Sequence, residues 1–164
     1  MSSENIPAIP KGDRLLTTLQ RLLKLSITSV GEAVHKTSQL VTQALEAEKV
    51  DVFLYDAQSQ SLIAFGTSMT PMGSKEKEKG LDRLPLSNGG RVVEVYLTGQ
   101  SYWTGQAHCD PHELTGMTED LGIQSEIIVP LYVNGQRRGN LLASSSVPHF
   151  FTEQDLRFLE AVTH

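Results

Sequence analysis

The sequence lacks several features that would direct it to particular functions. Among its 164 residues there is one cysteine, Cys109, so no intramolecular disulfide and no multi-cysteine zinc site can form. It has no apolar run near the ~20 residues of a membrane-spanning helix and no apolar signal segment at its start. Its 14 basic residues form no cluster and are outnumbered by 19 acidic ones, which disfavours nucleic-acid binding. We therefore expect a cytoplasmic protein with no membrane segment and no nucleic-acid partner.

The composition predicts one soluble globular domain. Hydrophobic residues make up 39% of the chain and charged residues 20%, enough to bury a core without metal or disulfide support. Residues 1–12 contain Pro7 and Pro10 without periodicity and are predicted to be a disordered tail. Residues 13–164 are predicted to form the domain. Its last helical pattern runs to His164 without a capping residue, so we expect that the chain was cut from a longer signalling protein.

Hydrophobic periodicity predicts the elements of the domain. Helices are expected over 15–27, 32–48, 91–98, 110–121 and from Glu153. Strands are expected over 50–56, 62–67, 101–104, 125–133 and 139–146, and 84–86 is expected to be extended. Residues 68–80, which include the alternating charges of Lys75 to Lys79, are predicted to be a solvated loop. Asn134-Gly135 is a strong hairpin signal, and Thr152 with Asp155 is typical of a capping box.

Five segments resemble the GAF domain family. The resemblance covers roughly residues 15–164 and implies an α/β (α+β) fold, with a GAF/PAS-like central antiparallel sheet of five to six strands and helices on both faces. The similar segments are LQRLLKLS (19–26), VFLYD (52–56), NGGRVVEVYLTGQ (88–100), GIQSEIIVPL (122–131) and VPHFFTEQDL (147–156).

The resemblance also implies a ligand pocket between one face of the sheet and the helices that cover it. Trp103 is expected to face this pocket, where it could stack on a planar ligand or pack in the core. By family analogy the pocket residues are Phe65, Gly90, Val93, Trp103, Thr104, Leu114, Ser125, Ile127, Leu142 and Ser144.

As a member of this family, the chain is expected to be a sensory and regulatory domain. It would bind an unknown small molecule or a partner and relay the signal through its terminal helices to an output domain such as a histidine kinase or a nucleotide cyclase, as in two-component systems. The alternative is a ligand-free dimerisation scaffold. A homodimer is expected through the terminal helices, with a seam of Leu16, Leu19, Leu23, Leu159 and Val162.

The family's known cofactors fit the sequence poorly, and none is required. His108, Cys109 and His112 supply too few ligands for zinc, so no metal is expected. Bilin-binding members usually place Cys before His, an order that His108-Cys109 reverses. No histidine is an evident axial ligand for haem. Members that bind cyclic nucleotides often carry an Asn-Lys pair, whereas here Asn88 is followed by Gly89.

Catalysis is also not expected from the sequence. An enzymatic branch of the family reduces methionine sulfoxide with several cysteines, whereas Cys109 alone cannot form an intramolecular disulfide. The sequence therefore predicts a protein that is not an enzyme.

Overall fold

Six antiparallel strands form one sheet in the order β3-β2-β1-β6-β5-β4. The computed structural model describes residues 8–23 and 29–164. The sheet confirms the predicted α+β fold class. The strands are β1 Lys49–Asp56, β2 Ser61–Thr67, β3 Arg83–Pro85, β4 Tyr102–Thr104, β5 Ser125–Val133 and β6 Gln136–Ser145.

Helices cover both faces of this sheet and enclose two hydrophobic cores. The α2 face of the sheet packs against α1, α2 and α5 through residues such as Val50, Ile127 and Leu159. The α4 face packs against α4 and the segment 107–121 through residues such as Phe53, Ile128 and Leu142, and α3 also lies on this side. The helices are α1 Lys11–Leu23, α2 Val30–Leu45, α3 Pro71–Glu78, α4 Arg91–Thr98 and α5 Glu153–Val162.

The local signals in the second half of the chain are confirmed. The β5–β6 hairpin turns through Asn134 and Gly135, which have φ angles of 52° and 76°. Both residue types adopt positive φ readily, as this two-residue turn requires. At α5 the Thr152 side chain accepts from the Asp155 N–H, while the Asp155 carboxylate accepts from the Thr152 N–H over 2.8 Å. This is the capping box that the sequence predicts.

The prediction of a loop over 68–80 is wrong, because residues 71–78 form α3. Thr70 caps the helix by accepting from the Gly73 N–H over 3.1 Å, and Pro71 occupies its first turn. Glu76 is fully buried, whereas Lys75, Lys77 and Glu78 are exposed. The charge run is therefore solvated on one side and anchored in the interior by a single carboxylate.

The prediction of a continuous helix over 110–121 is wrong as well. A 3-10 turn at Ala107–Cys109 precedes the segment, and the segment itself contains one π-helical turn at Gly116–Asp120. The Asp110 carboxylate accepts from the His112 N–H and binds the Arg91 guanidinium, but no helix follows it directly.

At the start of the chain, α1 begins at Lys11, inside the predicted tail. Residues 1–7 of that tail, and residues 24–28, to which the predicted first helix extends, lie outside the described residues. Of the helices in the described ranges, none combines the length and the apolar character needed to cross a membrane.

The capping box gives a direct test of the fold's C-terminal part. Thr152→Ala removes the side-chain acceptor and should cost about 1 kcal/mol, which lowers Tm by roughly 2–4 °C in a domain of this size. Thermal unfolding followed by circular dichroism measures the change. Thr17→Ala, at an exposed position of α1, is the matched control and should leave Tm nearly unchanged. An equal effect of the two substitutions would contradict the capping role.

Candidate functional site

A group of buried polar side chains lies at one end of the α4 face. Lys49 of β1, Ser144 of β6 and Glu126 of β5 are successive cross-strand partners, so their side chains share that face. Asp51 lies two residues along β1, opposite Thr67 of β2. Glu76 of α3 and Glu113 lie against these strand residues. We call these seven residues the polar cluster, and each has at most 9% of its surface exposed.

Lys49 is the centre of one half of the polar cluster. Its ammonium donates to Asp51 Oδ2 over 2.5 Å and also to Glu76 Oε2. Burial opposes the charged ammonium, but the two carboxylates raise the pKa of Lys49 and keep it charged. Burial, together with the nearby Asp51, raises the pKa of Glu76 to about 8 despite the opposing effect of Lys49. This half of the polar cluster thus holds two carboxyl groups against one ammonium.

Two carboxyl groups meet in the other half of the polar cluster. Glu126 is 1% exposed, and its side chain is hydrogen-bonded to Glu113. Burial, followed by the hydrogen bond and the charge of Glu113, raises the pKa of Glu126 well above its usual value. Glu113 Oε1 also accepts from the Leu114 N–H over 2.8 Å. Its surroundings therefore favour the protonated form of Glu126, in contact with a second carboxyl group.

An ion pair fixes the segment that carries Glu113. Arg91, at the start of α4, binds Asp110 through two hydrogen bonds of 2.5 and 2.8 Å, and its guanidinium lies 4.6 Å from the centre of the Tyr102 ring. The Tyr102 hydroxyl donates to the same carboxylate. The hydrogen bonds from Arg91 lower the pKa of Asp110, so this carboxylate stays ionised. Glu113, three residues later, is thereby held against the sheet.

Several buried oxygens of the polar cluster receive no hydrogen bond from an N–H or hydroxyl group within the described residues. Four belong to carboxyl groups and two to hydroxyl groups. They are Asp51 Oδ1, Glu76 Oε1, Glu113 Oε2, Glu126 Oε1, Thr67 Oγ1 and Ser144 Oγ. More than about 90% of buried polar groups in native proteins have a partner. Such a concentration at one place therefore marks a candidate binding site.

Part of the expected pocket lies on the same face as the polar cluster. Thr104 is the cross-strand partner of Glu126, next to Ser144. Gly90 begins α4 with φ of 91°, and a Cβ there would lie 2.7 Å from Leu114 Cγ. This close packing requires glycine. Val93, Leu114 and Leu142 belong to the hydrophobic core beside the cluster.

Four of the expected pocket residues lie elsewhere, which corrects the prediction for them. Trp103 pairs with Ile127 on the α2 face, and its indole N–H donates to the Phe151 carbonyl over 3.3 Å. Ser125 shares that face, where its hydroxyl donates to the Val147 carbonyl over 2.7 Å. Phe65 is 55% exposed. Strand β4 has only three residues, too few for the sequence alternation to indicate which face each residue joins.

The expected dimer residues differ in their exposure. Leu16 is 57% exposed, while Leu19 and Val162 line an apolar pocket of about 340 Å³ between the terminal helices and α2. Leu159 is fully buried in the chain's own core, so it is corrected to a core residue. The side chain of Leu23 lies outside the described residues. The seam through Leu16, Leu19 and Val162 stays a prediction.

Cys109 and its neighbouring histidines do not form a metal centre. Cys109, His108 and His112 are exposed. Across residues 8–23 and 29–164, no three His, Cys, Asp or Glu side chains are grouped so as to hold a metal ion.

The sequence contains a signal for the polar cluster that lies outside the motifs described above. Charged residues alternate with apolar ones at the start of β1, as Lys49 and Asp51, and Glu126 opens an otherwise apolar strand. In strands covered on both faces, a charged residue must lie in the interior and needs a partner there. Glu76 carries no such local signal, because it lies within a run of charges.

The fold and the polar cluster define a small α+β domain with a buried polar site beneath its α3/α4 layer. The GAF domain family model matches residues 27–164, so the chain belongs to the GAF domain family, whose members are typically sensory or regulatory. No curated protein sequence matches the chain significantly.

Solved structures with the same fold include GAF domains of phosphotransferases and free methionine-R-sulfoxide reductases. A GAF domain of a phosphoenolpyruvate-protein phosphotransferase from Coxiella burnetii is 18% identical, with a TM-score of 0.74 over 94% of this chain and 89% of that one. A free methionine-R-sulfoxide reductase from Neisseria meningitidis, in complex with its substrate, is 21% identical, with a TM-score of 0.74 over 99% and 92%. A type II free methionine-R-sulfoxide reductase from Thermoplasma acidophilum is 16% identical, with a TM-score of 0.65 over 83% and 91%.

The reductase structures overturn the expectation that this chain is not an enzyme. That expectation relied on the family's regulatory members and on the single cysteine. Enzymes share the whole fold, so membership of the family does not exclude catalysis. At 16–21% identity the likeness to these structures shows the fold alone.

The raised pKa of Glu76 predicts how stability depends on pH. The folded state holds a proton on Glu76 that the unfolded state releases near pH 4.5, so this stabilisation is complete below that pH and is lost as pH rises through about 8. Tm should therefore fall between pH 5 and 8.5. Glu76→Gln, which mimics the protonated acid, should make the fall smaller but not abolish it, because Glu126 acts in the same direction.

Glu78→Gln is the matched control, since Glu78 is exposed on the same helix. It should leave the pH dependence unchanged. Calorimetry at four or five pH values measures these slopes. An unchanged slope in Glu76→Gln would contradict a proton held at Glu76.

Proposed function

We propose that this GAF domain is a regulatory module that binds a small polar molecule at the polar cluster. The observation that supports the proposal is the set of six unpartnered oxygens, in which Asp51, Glu126 and Ser144 come from three adjacent strands. Each unsatisfied buried polar group costs about 1–3 kcal/mol. A bound molecule that hydrogen-bonds to several of them would recover much of that cost.

Access to the polar cluster requires α3 to move. Glu76 and Gly73 are the buried residues of this helix, and Gly73 has no side chain to pack. The helix is therefore held to the sheet by the hydrogen bond from Lys49 to Glu76 and by the partly buried side chain of Met72. A short helix with so few interior contacts can open locally at a lower free-energy cost than one with a fully buried apolar face.

Binding at the polar cluster would reach the terminal helices through the sheet. Lys49 faces the cluster, and the next residue, Val50, packs in the core beneath α1, α2 and α5. Helices α1 and α5 are joined by an ion pair of 2.7 Å between Lys11 and Asp155. A shift of β1 on ligand binding would change the packing of these helices and so bias an attached output domain. A kinase or cyclase in that place stays a prediction.

Native mass spectrometry of the purified protein tests the proposal. Wild type should carry a small molecule that is released on denaturation. The double variant Asp51→Asn/Ser144→Ala should lose it, because two of the partners change while Lys49 keeps Glu76. Glu119→Gln, at an exposed position outside the cluster, should retain it.

The proposal fails if wild type carries no molecule and no compound of a metabolite panel raises its Tm. It also fails if the double variant binds as wild type does. A dimer mass in the same spectra would support the scaffold alternative, provided that no compound stabilises the protein.

A second candidate function is reduction of a small sulfoxide, which the reductases of the same fold favour. Cys109 is exposed and directly precedes Asp110. Free methionine-R-sulfoxide with an external dithiol as reductant is the assay, since the dithiol can resolve a single oxidised cysteine. Activity lost in Cys109→Ser would support this candidate, and activity equal to the protein-free blank would overturn it.

A further inference from the structure

We propose that the molecule bound at the polar cluster carries a positively charged group, an ammonium or amidinium, which the carboxyl groups of Asp51, Glu113 and Glu126 receive. This inference rests on the proposed ligand-binding function and gives the chemical class of its ligand. Its support comes from the types of atom left without partners, from the charge balance and from the apolar surface beside the cluster.

The unpartnered atoms of the polar cluster are mainly acceptors. Asp51 Oδ1, Glu76 Oε1, Glu113 Oε2 and Glu126 Oε1 all belong to carboxyl groups. An ionised carboxyl oxygen accepts hydrogen bonds and donates none. The pKa values of Glu76 and Glu126 are raised without a ligand, and a positively charged ligand would favour their ionised forms. Such a ligand must then bring N–H donors to these oxygens. An ammonium group brings three and an amidinium brings a planar set, whereas a carboxylate or a phosphate brings acceptors.

The charge balance favours a cation for the same reason. Four carboxyl groups, those of Asp51, Glu76, Glu113 and Glu126, share the interior with the Lys49 ammonium. Lys49 is already paired with two of them, and the nearby Arg91 is paired with Asp110. An anionic ligand would have to displace one of these pairs and would add a further negative charge. A cation would instead supply the positive charge that Glu113 and Glu126 lack.

The state of the polar cluster without a ligand fits this inference. Burial beside Glu113 favours the protonated form of Glu126. A cation placed between the two carboxyl groups would favour the ionised form of Glu126, so binding would release a proton. The titratable groups around this place are Lys49, Asp51, Glu76, Asp110 and Glu113. Of these, Glu76 also holds a proton in the unliganded state and would add to the release.

The residues next to the polar cluster indicate the rest of the ligand. On β6, Leu142 lies two residues before Ser144. On β5, Ile128 lies two residues after Glu126, so both apolar side chains are on the same face as the polar cluster. Phe53 follows Asp51 on β1 in the same way. These side chains form an apolar surface directly beside the carboxyl groups. A cationic head with a short apolar body matches this arrangement.

Three four-carbon probes of matched size test the inference: butylammonium, butyramide and butyrate. The amine stays charged throughout pH 6–8, so changes over this range report on the protein. Isothermal titration calorimetry should give a dissociation constant for butylammonium in the millimolar range, which lies within the ceiling set by so small a ligand. Butyramide and butyrate should bind at least 10-fold more weakly. The affinity for butylammonium should rise several-fold from pH 6 to pH 8, with proton release that depends on the buffer's ionisation enthalpy.

Variants locate the effect at the polar cluster. Glu126→Gln keeps the shape of the protonated acid, so it should remain folded, and it should weaken butylammonium binding at least 10-fold. Glu119→Gln, an exposed acid of the segment that also carries Glu113, should bind as wild type. Should Glu126→Gln fail to fold, Ser144→Ala is the second variant, and a several-fold loss of affinity is expected.

Three results would overturn the cationic class: butyrate or butyramide binding as tightly as the amine, amine affinity that falls as pH rises, or unchanged amine binding in Glu126→Gln and Ser144→Ala. If a neutral or anionic molecule co-purifies with wild type and is lost in Asp51→Asn/Ser144→Ala, the proposed ligand-binding function stands and the cationic class alone fails. If neither probes nor metabolites bind, both fail.

Discussion

The structure depends on one constraint, which is that four carboxyl groups share the interior of a small domain with one ammonium. Moving an ionised carboxylate from water into a protein interior costs several kcal/mol unless it is paired or takes up a proton. Both solutions are present here. Asp51 is paired with Lys49, whereas Glu126 takes up a proton beside Glu113. Glu76 combines the two, since it contacts Lys49 and also has a raised pKa. Pairing and protonation leave several carboxyl oxygens without an N–H or hydroxyl donor. These oxygens are the basis of the proposed binding site.

This polar interior also explains how α3 is attached. Helices α2, α4 and α5 each bury apolar side chains, such as Val41, Val93 and Phe158, against the sheet. Helix α3 inserts a carboxyl group and packs the partly buried Met72 against the core, so its position depends strongly on the charges of Lys49 and Glu76. A change of those charges would act on α3 before it acts on the apolar helices. The same electrostatic balance therefore links the site's chemistry to the element that controls access to it.

Local signals predicted much of the fold but little of the site. The capping box of Thr152 and Asp155 and the Asn134-Gly135 turn are determined by neighbouring residues, so the sequence pattern is sufficient to predict them. Helix α3 was missed because the burial of Glu76 depends on Lys49, 27 residues earlier in the chain. Nothing in the run from Lys75 to Lys79 distinguishes Glu76 from the exposed Glu78. Glu126 could have been found from its place in a strand apolar on both faces, since a charge there cannot reach water.

The family assignment agrees with this account but does not identify a ligand, because the same fold occurs in a GAF domain of a phosphotransferase and in methionine sulfoxide reductases. The central claim is that burial raises the pKa of two interior carboxyl groups, those of Glu126 and Glu76. A carbon-13 NMR titration of the glutamate side-chain carboxyl signals tests it directly, with Glu126→Gln and Glu76→Gln used to assign the two signals. The account predicts a pKa of about 8 for Glu76 and a pKa for Glu126 well above the usual value of a glutamate. Titration of both signals within the usual range of a glutamate carboxyl group would contradict it.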